Sequence, residues 1–267
     1  MRMIVGLLKP DHGEIQVNGE RVSFGENQTN RYIGYLPDVP EYYGFMTASQ
    51  YLTLCGEITG MQSSDVRRRI LDLLDLVGLT DSKKHIHTYS RGMKQRLGIA
   101  QALLNAPKLL ICDEPTSALD PVGRKEILDI LSSVTEETTV LFSTHVLSDV
   151  ERICDHAALL HDGSIVVQGT LENLKRKGNG EKIQIEFERR SDAEACLKKY
   201  PESLQTDALT IILPKRADIT MPSEMADLVS RQVPAQKLEK LEPTLEDLFL
   251  EVVEHETAPC HDEKRTL

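Results

Sequence analysis

Tryptophan is absent from this 267-residue chain, and aromatic residues make up only 4% of it. That leaves little material for base-stacking platforms or aromatic sugar sites. No run approaches the roughly 18–20 apolar residues of a membrane-spanning helix. The opening MRMIVGLLKP has no small-residue cleavage site after it, so it does not read as a secretory leader. Cys55, Cys112, Cys154, Cys196 and Cys260 are odd in number, far apart and without a C-x-x-C. They read as reduced thiols of a cytosolic protein, not as a disulfide frame or zinc site. Positive charge is scarce as well: 31 Lys+Arg against 42 Asp+Glu leave −11, which speaks against a nucleic-acid partner. The phosphate-cradling pattern G-x-x-x-x-G-K-[ST] is missing, for no Gly-Lys dipeptide occurs anywhere.

What is present is ordinary globular material, 40% hydrophobic and 27% charged, enough for one α/β domain with an appendage. Met1, Ile4, Val5 and Leu8 share one helical face, yet nothing caps that helix, so it reads as one whose start has been cut away. Asn18-Gly19 is a hairpin signal between Glu14–Val17 and Arg21–Phe24, and Ile33–Leu36 reads as a strand. Thr47-Ala48-Ser49-Gln50 is a capping box ahead of a helix with Tyr51, Leu54, Cys55 and Ile58 on its face. Val66, Ile70, Leu73, Leu74 and Val77 stripe a second helix that Gly78 stops, and Ser90 caps a third. Leu109–Cys112 and Thr139–Phe142 are apolar runs suited to a parallel sheet, with a helix capped by Asp120-Pro121 between them. Helices alternating with strands predict βαβ units in a doubly wound sheet. After a hairpin at Asp162-Gly163, the basic, glycine-rich 175–182 reads as a linker. Strands at Ile183–Phe187 and Leu209–Leu213, helices at Asp192–Tyr200 and Ser223–Gln232, and a final amphipathic helix Leu245–Val253 then predict a small α+β unit. The expected domains are 1–174, with a helical subdomain at about 45–105, then 183–257 and a polar tail 258–267.

Three places carry chemistry. Asp113-Glu114 stands at the carboxyl end of a buried strand, where open α/β sheets place ligands. One carboxylate there can serve a magnesium ion and the next an attacking water, or the pair can be a solvated acidic loop. Tyr89–Arg96 begins a helix whose free N–H groups, Ser90 hydroxyl and Gly92 suit a phosphate, or else form a capped surface helix. His145 ends the neighbouring strand and can bond a phosphate or a water there, or be structural. The His85-x-His87 pair lacks nearby metal ligands and reads as surface loop.

In combination, Ser90–Arg96, Leu109–Asp120 and Ser143–His145 resemble the signature motif, Walker B strand with D-loop, and switch histidine of ABC-transporter ATPase subunits. The resemblance covers about residues 1–170. Gly34–Tyr43 looks like the Q-loop, and Pro243–Val253 like the ending of exporter-type members. It implies a P-loop NTPase-like, mainly parallel α/β sheet with a helical subdomain. It also implies ATP and Mg²⁺ as cofactors, with Asp113 serving the metal, Glu114 as general base and His145 sensing the γ-phosphate. Ser90 and Gly92 would contact ATP held by a second ATPase subunit in a head-to-tail dimer, and Asp120 would couple the two sites. Residues near Tyr35–Phe45 would meet a transmembrane permease subunit, holding the chain at the cytoplasmic face of the membrane.

Two positions depart from that pattern. Arg91 stands where the signature has glycine; it either adds charge toward phosphate or points outward into solvent. Asp38 falls where the Q-loop glutamine aligns, and a carboxylate cannot donate as an amide does. With the phosphate cradle missing, the expectation is a chain begun too late, weak in binding ATP alone and lacking a central strand. Leu109–Cys112 or its neighbour would then face an unpaired slot. The alternative function is a non-catalytic half-site partner that supplies only the signature motif.

Overall fold

In the computed structural model, residues 1–26, 28–80, 83–177, 182–213, 219–241 and 244–250 are described. The expected tail 258–267, the centre of the linker (178–181), Pro243 and the end of the final helix (251–253) lie outside them. The chain divides into two units, Met1–Asp149 and Val150–Leu267, the boundary falling earlier than the expected 174.

The first unit opens with turns, not a helix. Ile4 N–H donates to the Met1 carbonyl and Gly6 N–H to that of Met3. Gly6 sits at φ +72° against the Ser23 and Glu26 carbonyls. A left-handed residue so early breaks a segment too short to hold a helix by itself. Val5 and Gly6 are buried there, while Met3, Leu7 and Leu8 are exposed. Strands β1 (Gln16–Val17) and β2 (Glu20–Arg21) form the expected hairpin, shorter than its sequence signal. Asn18 and Gly19 both take positive φ, as a two-residue hairpin turn requires.

Strand β3 (Ile33–Leu36) follows, then α1 (Ala48–Ile58), α2 (Ser63–Leu76), α3 (Arg91–Ala102), β4 (Leu109–Asp113), α4 (Pro121–Ser133) and β5 (Thr139–Ser143). Thr47 and Gln50 close the capping box reciprocally. The buried face of α1 is Ala48, Tyr51, Leu52 and Gly56, rotated from the expected one, because Gly56 lets α2 approach and Val66 lies on it. Ile58 is left exposed. Val66, Ile70, Leu73, Leu74 and Val77 of the α2 segment are all buried as expected, each side chain contributing about 1.5–3 kcal/mol.

The parallel sheet has the order β3-β4-β5. Fully enclosed Leu110, Ile111 and Cys112 make β4 its middle strand. Strand β5 is paired on one side only among the described residues, and Leu141 there is 40% exposed.

Helix α5 (Leu147–Ile153) carries the chain across the boundary. In the second unit, β6 (His156–His161) and β7 (Ser164–Thr170) form a hairpin ahead of α6 (Leu171–Lys177). Residues 175–177 therefore end a helix instead of opening a linker, and Lys182 begins a strand. The run β8 (Lys182–Phe187), α7 (Arg190–Lys199), β9 (Leu204–Gln205), β10 (Thr210–Leu213), α8 (Met221–Ser230), β11 (Ala235–Leu241) pairs antiparallel in the order β11-β8-β10-β9. That βαββαβ arrangement is the ferredoxin-like topology. Its core is Ile183, Ile185, Phe187, Ala193, Ile211, Leu213 and Ile219. A last helix, α9 (245–250), is capped by Thr244, whose hydroxyl accepts from Asp247 N–H while Asp247 accepts from Thr244 N–H. Glu151 accepts from Leu245 N–H at 3.0 Å and pairs with Lys175, and Lys182 bonds Asp247.

Two outcomes are expected. The unpaired edge of β5 should drive self-association, so Leu141→Lys, which charges that edge, should lower it in light scattering without shifting the melting temperature by more than a few degrees. Partial burial raises the Asp247 pKa, but bonds from Lys182 and Thr244 outweigh it and hold the carboxyl below its ordinary range. Its stabilisation is therefore present above about pH 3.9 and lost as pH falls through the lowered value. Asp247→Asn should cost on the order of 1 kcal/mol at neutral pH, as a lost cap does. The gap from wild type should close in acid melts.

Candidate functional site

Parallel register sets Asp113 of β4 opposite Ser143 of β5, so both strands release their chains at one edge. Ser143 Oγ donates to Asp113 Oδ1 at 2.7 Å and accepts from Glu114 N–H at 3.0 Å. One hydroxyl thus joins the Asp113 carboxylate to the backbone of the next residue. Glu114 sits at φ +48°, a left-handed conformation that is costly for a side-chain-bearing residue. The turn brings Glu114 Oε2 to 2.9 Å from His145 Nδ1. A carboxylate acceptor there favours the proton on Nδ1 and leaves Nε2 free to accept. The imidazole is 73% exposed and the carboxylate 27%. Asp113, Glu114 and His145 therefore meet at one rim.

The other expected residues form a second group. Ser90 is the N-cap of α3, its hydroxyl accepting from Met93 N–H at 3.2 Å. Asp120 is spent in the same way at α4, accepting from Gly123 N–H at 2.9 Å. A Cβ on Gly92 would touch Leu119 at 3.7 Å, so the start of α3 lies against the turn that follows Glu114. Arg91 is half exposed, and its guanidinium lies 3.8 Å from Asp38 Oδ1. At that distance the two charges form a loose surface pair, with Arg91 still partly in solvent.

Asp38 is held by its backbone, where its carbonyl accepts from Nε2 of the buried Gln95 at 3.0 Å. Tyr42 OH donates to the Lys94 carbonyl at 2.7 Å. Burial first, then nearby Tyr51, pushes the Tyr42 hydroxyl far up, so it stays a donor. Ser143, Gln95 and Tyr42 lie inside the motif stretches, but sequence reading assigns none of them a role of its own. A polar residue on a buried helical face was the available signal for Gln95; nothing local marks the other two. Gly98 makes this docking possible, since a Cβ there would run into Leu36 and the Tyr42 hydroxyl.

The chain is similar to known proteins. Residues 1–117 match a family model described as ABC transporter. YxlF of Bacillus subtilis (strain 168), an ABC transporter ATP-binding protein, is 37% identical over 95% of this chain and 85% of its own length. The chain belongs to the ABC transporter ATP-binding proteins. BcrA of Bacillus licheniformis, a bacitracin transport ATP-binding protein, is 35% identical over 75% of the chain and 65% of its own length. The solved structure of an ABC transporter ATP-binding subunit is 32% identical, with a TM-score of 0.57 over 66% of this chain and 74% of that one. ABC ATP-binding subunits have the P-loop NTPase fold, bind and hydrolyse ATP, and work with membrane permeases. ATPase is accordingly the enzyme class of this chain.

Gly98→Ala should separate α3 from β3 and the 36–42 segment, costing about 1–3 kcal/mol as overpacking does. A denaturant midpoint lowered to that extent, with an unchanged slope, is the expected result.

Proposed function

We propose that this ATPase drives an exporter-type permease, with Glu114 as general base and His145 holding it and the γ-phosphate in register. The carrying observation is the 2.9 Å contact between Glu114 Oε2 and His145 Nδ1 beside Asp113. With Nδ1 committed to Glu114, Nε2 faces the incoming nucleotide as its partner. The left-handed backbone of Glu114 accompanies a carboxylate set against His145 and partly open to solvent, where it can take a proton from water.

Asp113 supplies hard oxygen, the donor chemistry of Mg²⁺. No group of three or more His, Cys, Asp or Glu gathers to hold a metal among the described residues. That fits an ion held by one carboxylate, phosphates and waters. When bound, the ion would neutralise phosphate charge; Asp113, fixed by Ser143, would orient it.

Ser90, Arg91 and Gly92 would face the nucleotide of a second ATPase subunit in a head-to-tail dimer, and Asp120 would link the two sites. Support for this comes from the open N-terminus of α3 and the exposure of Arg91. Val39, Tyr43 and Phe45 project exposed apolar surface from the segment strapped to α3, suited to the permease. No helix among the described residues is long and apolar enough to cross a membrane, so attachment at the inner face would come through that permease. The kinship with BcrA, named for bacitracin transport, supports a transport role, and the resemblance of Pro243–Val253 to exporter-type endings supports the direction.

In the assembled transporter, Glu114→Gln should lower ATP turnover about 100-fold or more, and His145→Ala by a comparable factor. If turnover ignores Glu114→Gln but collapses when Gly92 is enlarged to Asp, the chain serves only as the half-site partner, and the general-base role is wrong.

A further inference from the structure

The Glu114–His145 contact is open to water and weak alone, yet a buried contact lies directly behind it. Thr116, two residues after Glu114, is 1% exposed; Asp149, four after His145, is 2% exposed. Thr116 Oγ1 donates to Asp149 Oδ2 at 2.8 Å, and Arg124 Nε of α4 lies 3.8 Å from the same oxygen. We propose that Asp149 is a positioning residue: through Thr116 it holds Glu114 against His145.

Three observations carry this. Segments 113–116 and 143–149 are joined by successive contacts, Asp113 to Ser143, Glu114 to His145 and Thr116 to Asp149, so the last sets the angle at which the middle one closes. Glu114 at φ +48° and Ala118 at +52° are both left-handed, and such strain persists only where the surroundings over-determine it. Ser117 N–H to the Glu114 carbonyl closes the turn, and within it Thr116 is buried beside Pro115 and bonds Asp149. Burying a carboxylate is costly where an apolar residue of similar size would pack. Arg124 and the N-terminal turn of α5 compensate that charge. His145 stands two residues before the first residue of α5, which carries Asp149, so a shift of α5 reaches the histidine through a short connection.

The inference rests on the roles proposed for Glu114 and His145, and its test has a readout that needs no nucleotide. Thr116→Val removes the donor at constant volume; Thr116→Ser restores it; Asp149→Asn removes the charge. Amide hydrogen exchange at Glu114 and Ser117 should quicken about tenfold or more in Thr116→Val and Asp149→Asn, and return to wild type in Thr116→Ser. In the assembled transporter, kcat should fall about tenfold in the first two with KM for ATP unchanged. Wild-type exchange in Thr116→Val, a Thr116→Ser that behaves like it, or quickened exchange with unaltered kcat would each overturn the role of Asp149. An active Glu114→Gln would instead overturn the general-base reading.

Discussion

The register between β4 and β5 is the constraint on which the site depends. Asp113 pairs with Ser143, and only that pairing lets one hydroxyl donate to the carboxylate while accepting from Glu114 N–H. A slip by one residue would turn every side chain of β5 to the opposite face. Ser143 would then leave Asp113, and His145 would leave Glu114. What prevents the slip is burial: Leu110, Ile111 and Cys112 are enclosed on both faces, and Leu36 of β3 is fully covered beside Cys112. Apolar packing thus sets the positions of charges that touch none of it.

The two departures from the family pattern are related in space. Arg91 opens α3, where a positive side chain opposes the helix dipole. Asp38 supplies a negative charge 3.8 Å away, on a segment already tied to the same helix by Gln95 and Tyr42. Read singly, Asp38 puts a nucleotide contact in doubt, while Arg91 either adds charge toward phosphate or points outward. Together they make a surface ion pair, worth little in stability, that neutralises a local mismatch. No one-dimensional inspection pairs residues so far apart in sequence.

That distinction between local and non-local determination runs through the chain. The capping box at Thr47, the β3 bounds, the Ser90 and Asp120 caps and the α2 stripe are written in a few adjacent residues, and the structure has them where the sequence places them. The helix expected at Met1–Leu8 had the right periodicity but no cap, and Gly6 takes a backbone angle that periodicity does not register. Strand β11 escaped notice because AQKLEKL carries two lysines and a glutamate as an edge strand can, with Ala235 and Leu238 packing on the core. Of the candidate site, the three chemical side chains were legible as strand-end residues. Their supports, Ser143, Thr116 and Asp149, were not, since a hydroxyl or carboxylate reveals its partner only once the strands are paired.

Those supports also explain how a solvent-open pair can hold a geometry. An exposed hydrogen-bonded contact gains at most about 1 kcal/mol, no more than the left-handed backbone at Glu114 costs. His145 can orient the Glu114 carboxylate, but it cannot by itself carry that backbone strain. The strain must be carried by bonds screened from water: Glu114 N–H to Ser143 and the Thr116 hydroxyl to Asp149, the latter wholly buried. A hydrogen bond to a buried charge is among the stronger ones, and leaving that charge unmatched would cost more still. Rigidity is thus placed behind the reactive groups, and the groups themselves stay free to exchange partners when a phosphate arrives.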